Sequence, residues 1–269
     1  MIPYDKFAAE LNRTIKYDVE FYRDLLEKVI DNPKRYTGIF RVSNVSTKLV
    51  QNATQSREIK FGDFLENIVT KYIEIMGYIN LDKSIGVDDD GNALEADQVF
   101  CSGDTIYLIE QKVRDDHDST KKRGQYDNFR KKYQLLQATY PDYKINASMW
   151  FIDDGLVKNK RYYEGIAASE QDERVSKHVY YGGAIFDEVF ERPDVWQELC
   201  AHLSRSKKER SQEILKIPDF DTSEEIYQAL RYIKEYKPRK YKKLLSDKPA
   251  YVQLRAEVFP TGANLARIA

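Results

Sequence analysis

Apolar residues recur with a helical period from the start of the chain. Phe7, Leu11, Ile15, Val19, Tyr22, Leu25, Leu26 and Val29 fall roughly on one stripe, so residues 1–35 are expected to be helical, with Asn32-Pro33 ending the stretch. Residues 36–56 are mixed and rich in Ser, Thr and Asn. The period returns in Phe61, Leu65, Ile68, Val69, Tyr72, Ile73 and Met76, which predicts a helix over Glu58–Met76 stopped at Gly77. The pattern then becomes that of strands. Asp88-Asp89-Asp90-Gly91-Asn92 reads as a turn, and Leu94–Phe100 and Thr105–Val113 read as strands joined by a Ser102-Gly103-Asp104 hairpin turn. Ser119–Tyr140 reads as a loop entering a basic helix closed by Pro141, with Phe129, Tyr133 and Leu136 facing the sheet. Asn146–Ile152 is a short apolar strand, Val179–Phe190 holds another around Tyr180–Phe186, and about 195–248 is mainly helical with basic runs. The middle of the chain therefore runs helix, strand, strand, helix, strand, strand: a mixed α/β core with helical flanks.

Composition narrows the picture little. The 269 residues suit one large domain or a core with an added lobe. With 32% charged residues but a net charge of −1, the total does not announce a polyanion binder; the distribution of charge decides that. The 20 tyrosines and 12 phenylalanines serve core and subunit interface in the ordinary case. Cys101 and Cys200 are the only cysteines and form no CxxC pair, so neither a disulfide framework nor a zinc site is expected. No signal-peptide pattern opens the chain and no apolar run approaches the ~20 residues that cross a bilayer, so a cytoplasmic protein is expected. The absence of a P-loop or GxGxxG argues against nucleotide hydrolysis and dinucleotide binding.

The chemistry is concentrated in Leu94-Glu-Ala-Asp97-Gln-Val-Phe100 and Ile106-Tyr-Leu-Ile-Glu110-Gln-Lys112-Val113. Strand side chains alternate, so Glu110 and Lys112 share a face and Gln111 points away. A carboxylate and an ammonium on one face of an otherwise apolar strand are costly to bury unless paired or bound to a metal. Asp97, on the neighbouring strand, can bring a second carboxylate to the same spot. Two carboxylates and a strand carbonyl make a hard oxygen site suited to Mg²⁺. Lys112 is then placed to orient or deprotonate an attacking water and to stabilise charge developing on a phosphate.

D-x12-E-x-K on adjacent strands resembles the PD-(D/E)XK nuclease signature, matched by Asp97, Glu110 and Lys112, with Ala96 standing where the family often has proline. The resemblance covers about residues 58–155, and "EIKFGDFLE", "IEQKVRDDHDSTKKRGQ" and "FIDDGLVKNK" follow in the order of a type II restriction endonuclease. It implies an α/β fold with a central mixed five-stranded sheet flanked by helices, helical N- and C-terminal additions, and Mg²⁺-dependent, sequence-specific hydrolysis of double-stranded DNA. It also implies a glutamate from the preceding helix. Glu66 fits that role as a further metal-site residue, because the ~100° turn per residue sets it at the border of the apolar stripe beside Ile73, while Asp63 falls further round.

The polar run after Lys112 is expected to face DNA. Lys121, Lys122 and Arg123 are candidates for phosphate contact, Arg123 also for guanine, joined by Arg114, Ser119 and Gln125, and by Arg57 and Lys60 further upstream. His117 is a candidate DNA contact, while His178 and His202 are read as non-catalytic. Asp153-Asp154 fits either a second acidic site or turn chemistry, and the basic groups of 205–210 and 237–243 fit either polyanion binding or solvated helix faces. The expected organisation is an N-terminal segment 1–57, a catalytic core 58–190 and a helical region 191–269. A symmetric DNA site calls for a homodimer, and the family implies a cognate DNA methyltransferase. A nonspecific or structure-directed nuclease of the same core, or a non-catalytic DNA-binding protein, remain alternatives on the same residues.

Overall fold

A computed structural model describes residues 1–269 except 16–17, 41, 89, 114–118, 170–171, 212–216 and 269. The elements run α1 (Tyr4–Ile15), α2 (Val19–Asp31), α3 (Pro33–Thr37), α4 (Val45–Ile75), β1 (Ile79–Asn80), β2 (Ser84–Val87) and β3 (Ala93–Glu95). There follow β4 (Gln98–Ser102), β5 (Thr105–Lys112), α5 (Ser119–Thr139), β6 (Lys144–Phe151), α6 (Lys160–Ser169) and β7 (Val175–Tyr181). The chain ends with α7 (Ala184–Glu188), α8 (Pro193–Glu209), α9 (Glu224–Tyr236), α10 (Pro238–Leu244), α11 (Pro249–Val258) and α12 (Ala263–Ile268). No helix among the described residues is long and apolar enough to cross a membrane.

These elements form two units, Met1–Ala8 with Gly62–Glu209, and Ala9–Phe61 with Arg210–Ala269. The first holds a five-stranded sheet in the order β1-β4-β5-β6-β7, with β2 and β3 as a separate two-stranded ribbon. β1, β4 and β5 are antiparallel, whereas β5, β6 and β7 are parallel, so the expected mixed five-stranded sheet flanked by helices is what the chain builds. After the exposed Lys144, β6 reads Ile145-Asn-Ala-Ser-Met-Trp-Phe151 and is almost wholly buried, as a strand covered on both faces must be. Phe129, Tyr133 and Leu136 of α5 join Ile106, Leu108 and Met149 of the sheet in one apolar cluster. Phe64, Leu65, Ile68, Val69, Tyr72 and Ile73 of α4 are each at most 2% exposed, which makes that half of the helix a core element. The second unit is helical and closes around its own cluster, in which Leu26, Ile30, Ile226, Leu230 and Ile233 are completely enclosed.

Three stretches differ from the sequence expectation. α4 starts at Val45, not Glu58. Val45, Leu49 and Ala53 are buried four residues apart, and the Asn44 side chain caps the helix by accepting from the Thr47 amide at 2.8 Å, so the Ser/Thr/Asn content here lies on the outer face and at the cap. Leu94–Phe100 is two strands: β3 pairs with β2 and β4 with β5. The break falls at Ala96 and Asp97, where the Ala96 amide donates to Lys83 O at 2.9 Å. The Tyr180–Phe186 run is strand only to Tyr181. Gly182, with φ +55°, turns the chain, and Ile185 and Phe186 bury themselves on the short helix α7.

Candidate active site

The β4–β5 hairpin places the acidic pair. Its turn is Gly103-Asp104, with Gly103 at φ +57°, a left-handed conformation that glycine adopts without steric cost. The register Ser102↔Thr105 to Gln98↔Ile109 then carries on to set Asp97 opposite Glu110. Asp97 is therefore not on the strand, as its sequence setting suggested, but in the bend that leads into β4. Its Oδ2 accepts from the Gln111 amide at 2.6 Å, so a side chain takes the place of a ladder carbonyl at the end of the hairpin.

Alternation along β5 separates two sets of contacts. On one face Gln111 Oε1 accepts from Gln98 Nε2 at 2.8 Å, and Gln98, 1% exposed, also donates to Glu66 O at 2.8 Å and accepts from the Thr70 hydroxyl at 2.7 Å. This buried amide ties α4 to the hairpin at the level of Glu66. On the other face the carboxylate of Glu110, a residue 8% exposed, lies between two ammonium groups, with Lys112 Nζ 2.8 Å from Oε1 and Lys132 Nζ 2.6 Å from Oε2. Burial pushes the Glu110 carboxyl up, but Lys112 and then Lys132 outweigh it and hold it below its ordinary range.

Asp97 is pushed the other way, to about 6, by burial first and by the Glu110 charge second; Lys112 and Lys132 oppose the rise and Glu66 adds to it. A buried carboxylate whose proton affinity is raised by a charged carboxylate beside it is the arrangement a divalent cation relieves. Oxygen donors of this kind suit a hard ion. Among the described residues no group of three or more His, Cys, Asp or Glu is placed to hold a metal ion by itself. Asp97, Glu110 and a strand carbonyl would leave the remaining positions to water and phosphate oxygens, which is how Mg²⁺ is ordinarily held. Glu66 stands beside this pair, about a third exposed, with Lys83 Nζ at 2.5 Å from its Oε1.

The raised Asp97 value has a consequence for stability without metal. Its folded-state value, about 6, lies above the ordinary 3.8, so the folded form binds more protons between the two. The stability this contributes is complete below about pH 4 and is lost as pH rises through about 6, a swing on the order of 3 kcal/mol. In EDTA, Asp97→Asn should gain stability relative to wild type between pH 4 and pH 7, as read by urea unfolding at each pH. A constant difference across that range would contradict the burial of an ionisable Asp97 beside Glu110.

A cavity of about 320 Å³ opens next to Glu110, lined by Lys121, Gly124, Gln125 and Asn128 of α5. Lys121 and Gln125 are thus brought to Glu110, with Gln125 accepting from the Tyr163 hydroxyl at 3.0 Å. Lys122 instead lies over the Tyr162 ring at 4.6 Å, and Arg123 is exposed. Arg57 and Lys60 belong to the helical unit, where Lys60 lines a cleft with Lys28 and Arg35. Arg114, His117 and the side chain of Ser119 lie outside the described residues. Two residues of the site escaped the sequence reading, Gln98 and Lys132. Lys132 left a signal, because it stands three residues after Phe129 and four before Leu136, on the apolar stripe of α5.

The family model described as type II restriction endonuclease, HinfI, matches the chain over residues 4–95 and 83–207. No curated protein matches it.

Proposed function

The chain belongs to the HinfI family of type II restriction endonucleases, and on that premise we propose that it cuts double-stranded DNA at a specific sequence by Mg²⁺-dependent hydrolysis at Asp97, Glu110 and Lys112. The observation that carries this reading is the convergence of two carboxylates and a lysine at one end of the β4–β5 hairpin, beside an open cavity. Bound Mg²⁺ supplies Lewis acidity toward the phosphate and lowers the pKa of its water.

In this reading Asp97 and Glu110 hold the ion with a strand carbonyl. Lys112 Nζ donates to Glu110 Oε1 at 2.8 Å. It orients the attacking water and donates to the phosphate oxygens as negative charge grows on them. Glu66 accepts a hydrogen bond from a water at the edge of the site. Lys121, Lys122, Arg57 and Lys60 contact phosphates, while Arg123, Gln125, Arg114 and Ser119 face the duplex, with Arg123 able to read guanine in the major groove. A homodimer matches the two-fold symmetry of a palindromic target, and a methyltransferase of the same specificity protects host DNA.

The test is digestion of a sequenced plasmid by the purified protein in Mg²⁺ and in EDTA. Discrete fragments in Mg²⁺, none in EDTA, and a common sequence at the cut ends are expected. A smear would make the protein a nonspecific nuclease, and no cutting in either Mg²⁺ or Mn²⁺ would leave a DNA-binding protein on the same fold.

A further inference from the structure

Lys132 is the most enclosed charge at this site. It lies in the middle of α5, between Phe129 and Tyr133, which are 1% and 4% exposed, and its own side chain is 7% exposed. A lysine on the apolar stripe of a helix is costly unless its charge is met. Its described partner is a single oxygen, Oε2 of Glu110, at 2.6 Å. Lys112 takes the other oxygen at 2.8 Å from the end of β5, where its side chain is 15% exposed. The two lysines are therefore not equivalent. One is walled into the helix–sheet layer and the other stands at the rim that opens toward solvent.

We propose that Lys132 is a positioning residue of the hydrolytic site, which anchors Oε2 of Glu110 and leaves Oε1 as the oxygen exchanged between Lys112 and the divalent cation. The assignment rests on the reading of Asp97 and Glu110 as the metal-holding pair. Fixing one oxygen fixes the plane of the carboxylate, and orientation of a metal ligand by a hydrogen-bonded partner typically changes metal affinity or activity by about 10–100-fold. It also frees Lys112 to turn to the phosphate without leaving Glu110 uncompensated. A lysine that served only to balance charge would behave differently, because removing a competing cation would tighten metal binding.

Two variants of the full chain separate these roles. Lys132→Met keeps the volume and removes the contact. Lys132→Arg keeps the ion pair, and with it the fold, but its longer planar head displaces the carboxylate. The readout is Mn²⁺ affinity of the DNA-free protein by electron paramagnetic resonance, beside thermal melting and near-ultraviolet circular dichroism. Both variants should bind Mn²⁺ about 10–100-fold more weakly than wild type with unchanged spectra. If Lys132→Met does not fold, the arginine variant decides alone. Wild-type or tighter Mn²⁺ affinity in a folded variant overturns the proposal. Asp97→Asn is the control: if wild type binds no Mn²⁺, or if this variant binds it equally well, the metal site itself is misassigned and the role of Lys132 falls with it.

Discussion

Lys112→Ala should slow DNA cleavage in Mg²⁺ by about 10³-fold under single-turnover conditions and leave the protein folded. Removing one donor aimed at the charge of a transition state typically costs 10²–10³ in rate, and loss of a group that handles the proton of the nucleophile typically costs 10²–10⁴. The fold should survive because Glu110 keeps Lys132 at 2.6 Å when Lys112 is truncated, so no buried charge is stranded. DNA binding in Ca²⁺, measured by fluorescence anisotropy, should change by only a few-fold, the share of one phosphate contact. A rate within tenfold of wild type would remove Lys112 from the chemistry. Loss of rate together with loss of thermal stability would instead mark it as a structural counter-ion.

Glu110→Ala is expected to fail in a different way. It removes the shared partner of Lys112 and Lys132, whose side chains are 15% and 7% exposed, and leaves both ammonium groups without that carboxylate. Stranding one partner of a buried pair costs about 3–5 kcal/mol, which for a chain of this size corresponds to a melting temperature lower by roughly 10 °C. Thermal unfolding in EDTA tests this, and cleavage should be abolished in parallel. Glu110→Leu combined with Lys132→Met should recover much of the lost stability, since an apolar pair of similar volume often replaces a buried ion pair at no cost, yet it should stay inactive. Comparison with each single variant gives the coupling directly. A Glu110→Ala protein as stable as wild type would mean that the two lysines reach water and that the pair is not a buried one.

Much of this site is legible in the linear sequence. The stripe from Phe61 to Ile73 announces the half of α4 that packs on the sheet, the apolar run Ile106–Ile109 announces β5, and Gly103-Asp104 marks the turn between the two hairpin strands. Strict alternation alone puts Glu110 and Lys112 on one face and Gln111 on the other, as their separate partners bear out. These features are local: a period of two or 3.6 is set by backbone geometry over a few residues and can be read along the chain. Other features depend on residues far apart in sequence. β1 is two residues long, too short to carry a period, and exists through its pairing with β4. Asp97 leaves the strand because a backbone amide fourteen positions away needs an acceptor. Gln98 and Lys132, ordinary polar residues along the chain, become interior groups because α4 and α5 close over opposite faces of the same hairpin. The run Lys121-Lys-Arg-Gly-Gln-Tyr-Asp-Asn-Phe-Arg-Lys-Lys132 offers many charges of one kind, and composition cannot say which is desolvated. That depends on whether a carboxylate on a distant strand lies within hydrogen-bond reach, and only the packed helix and sheet bring it there.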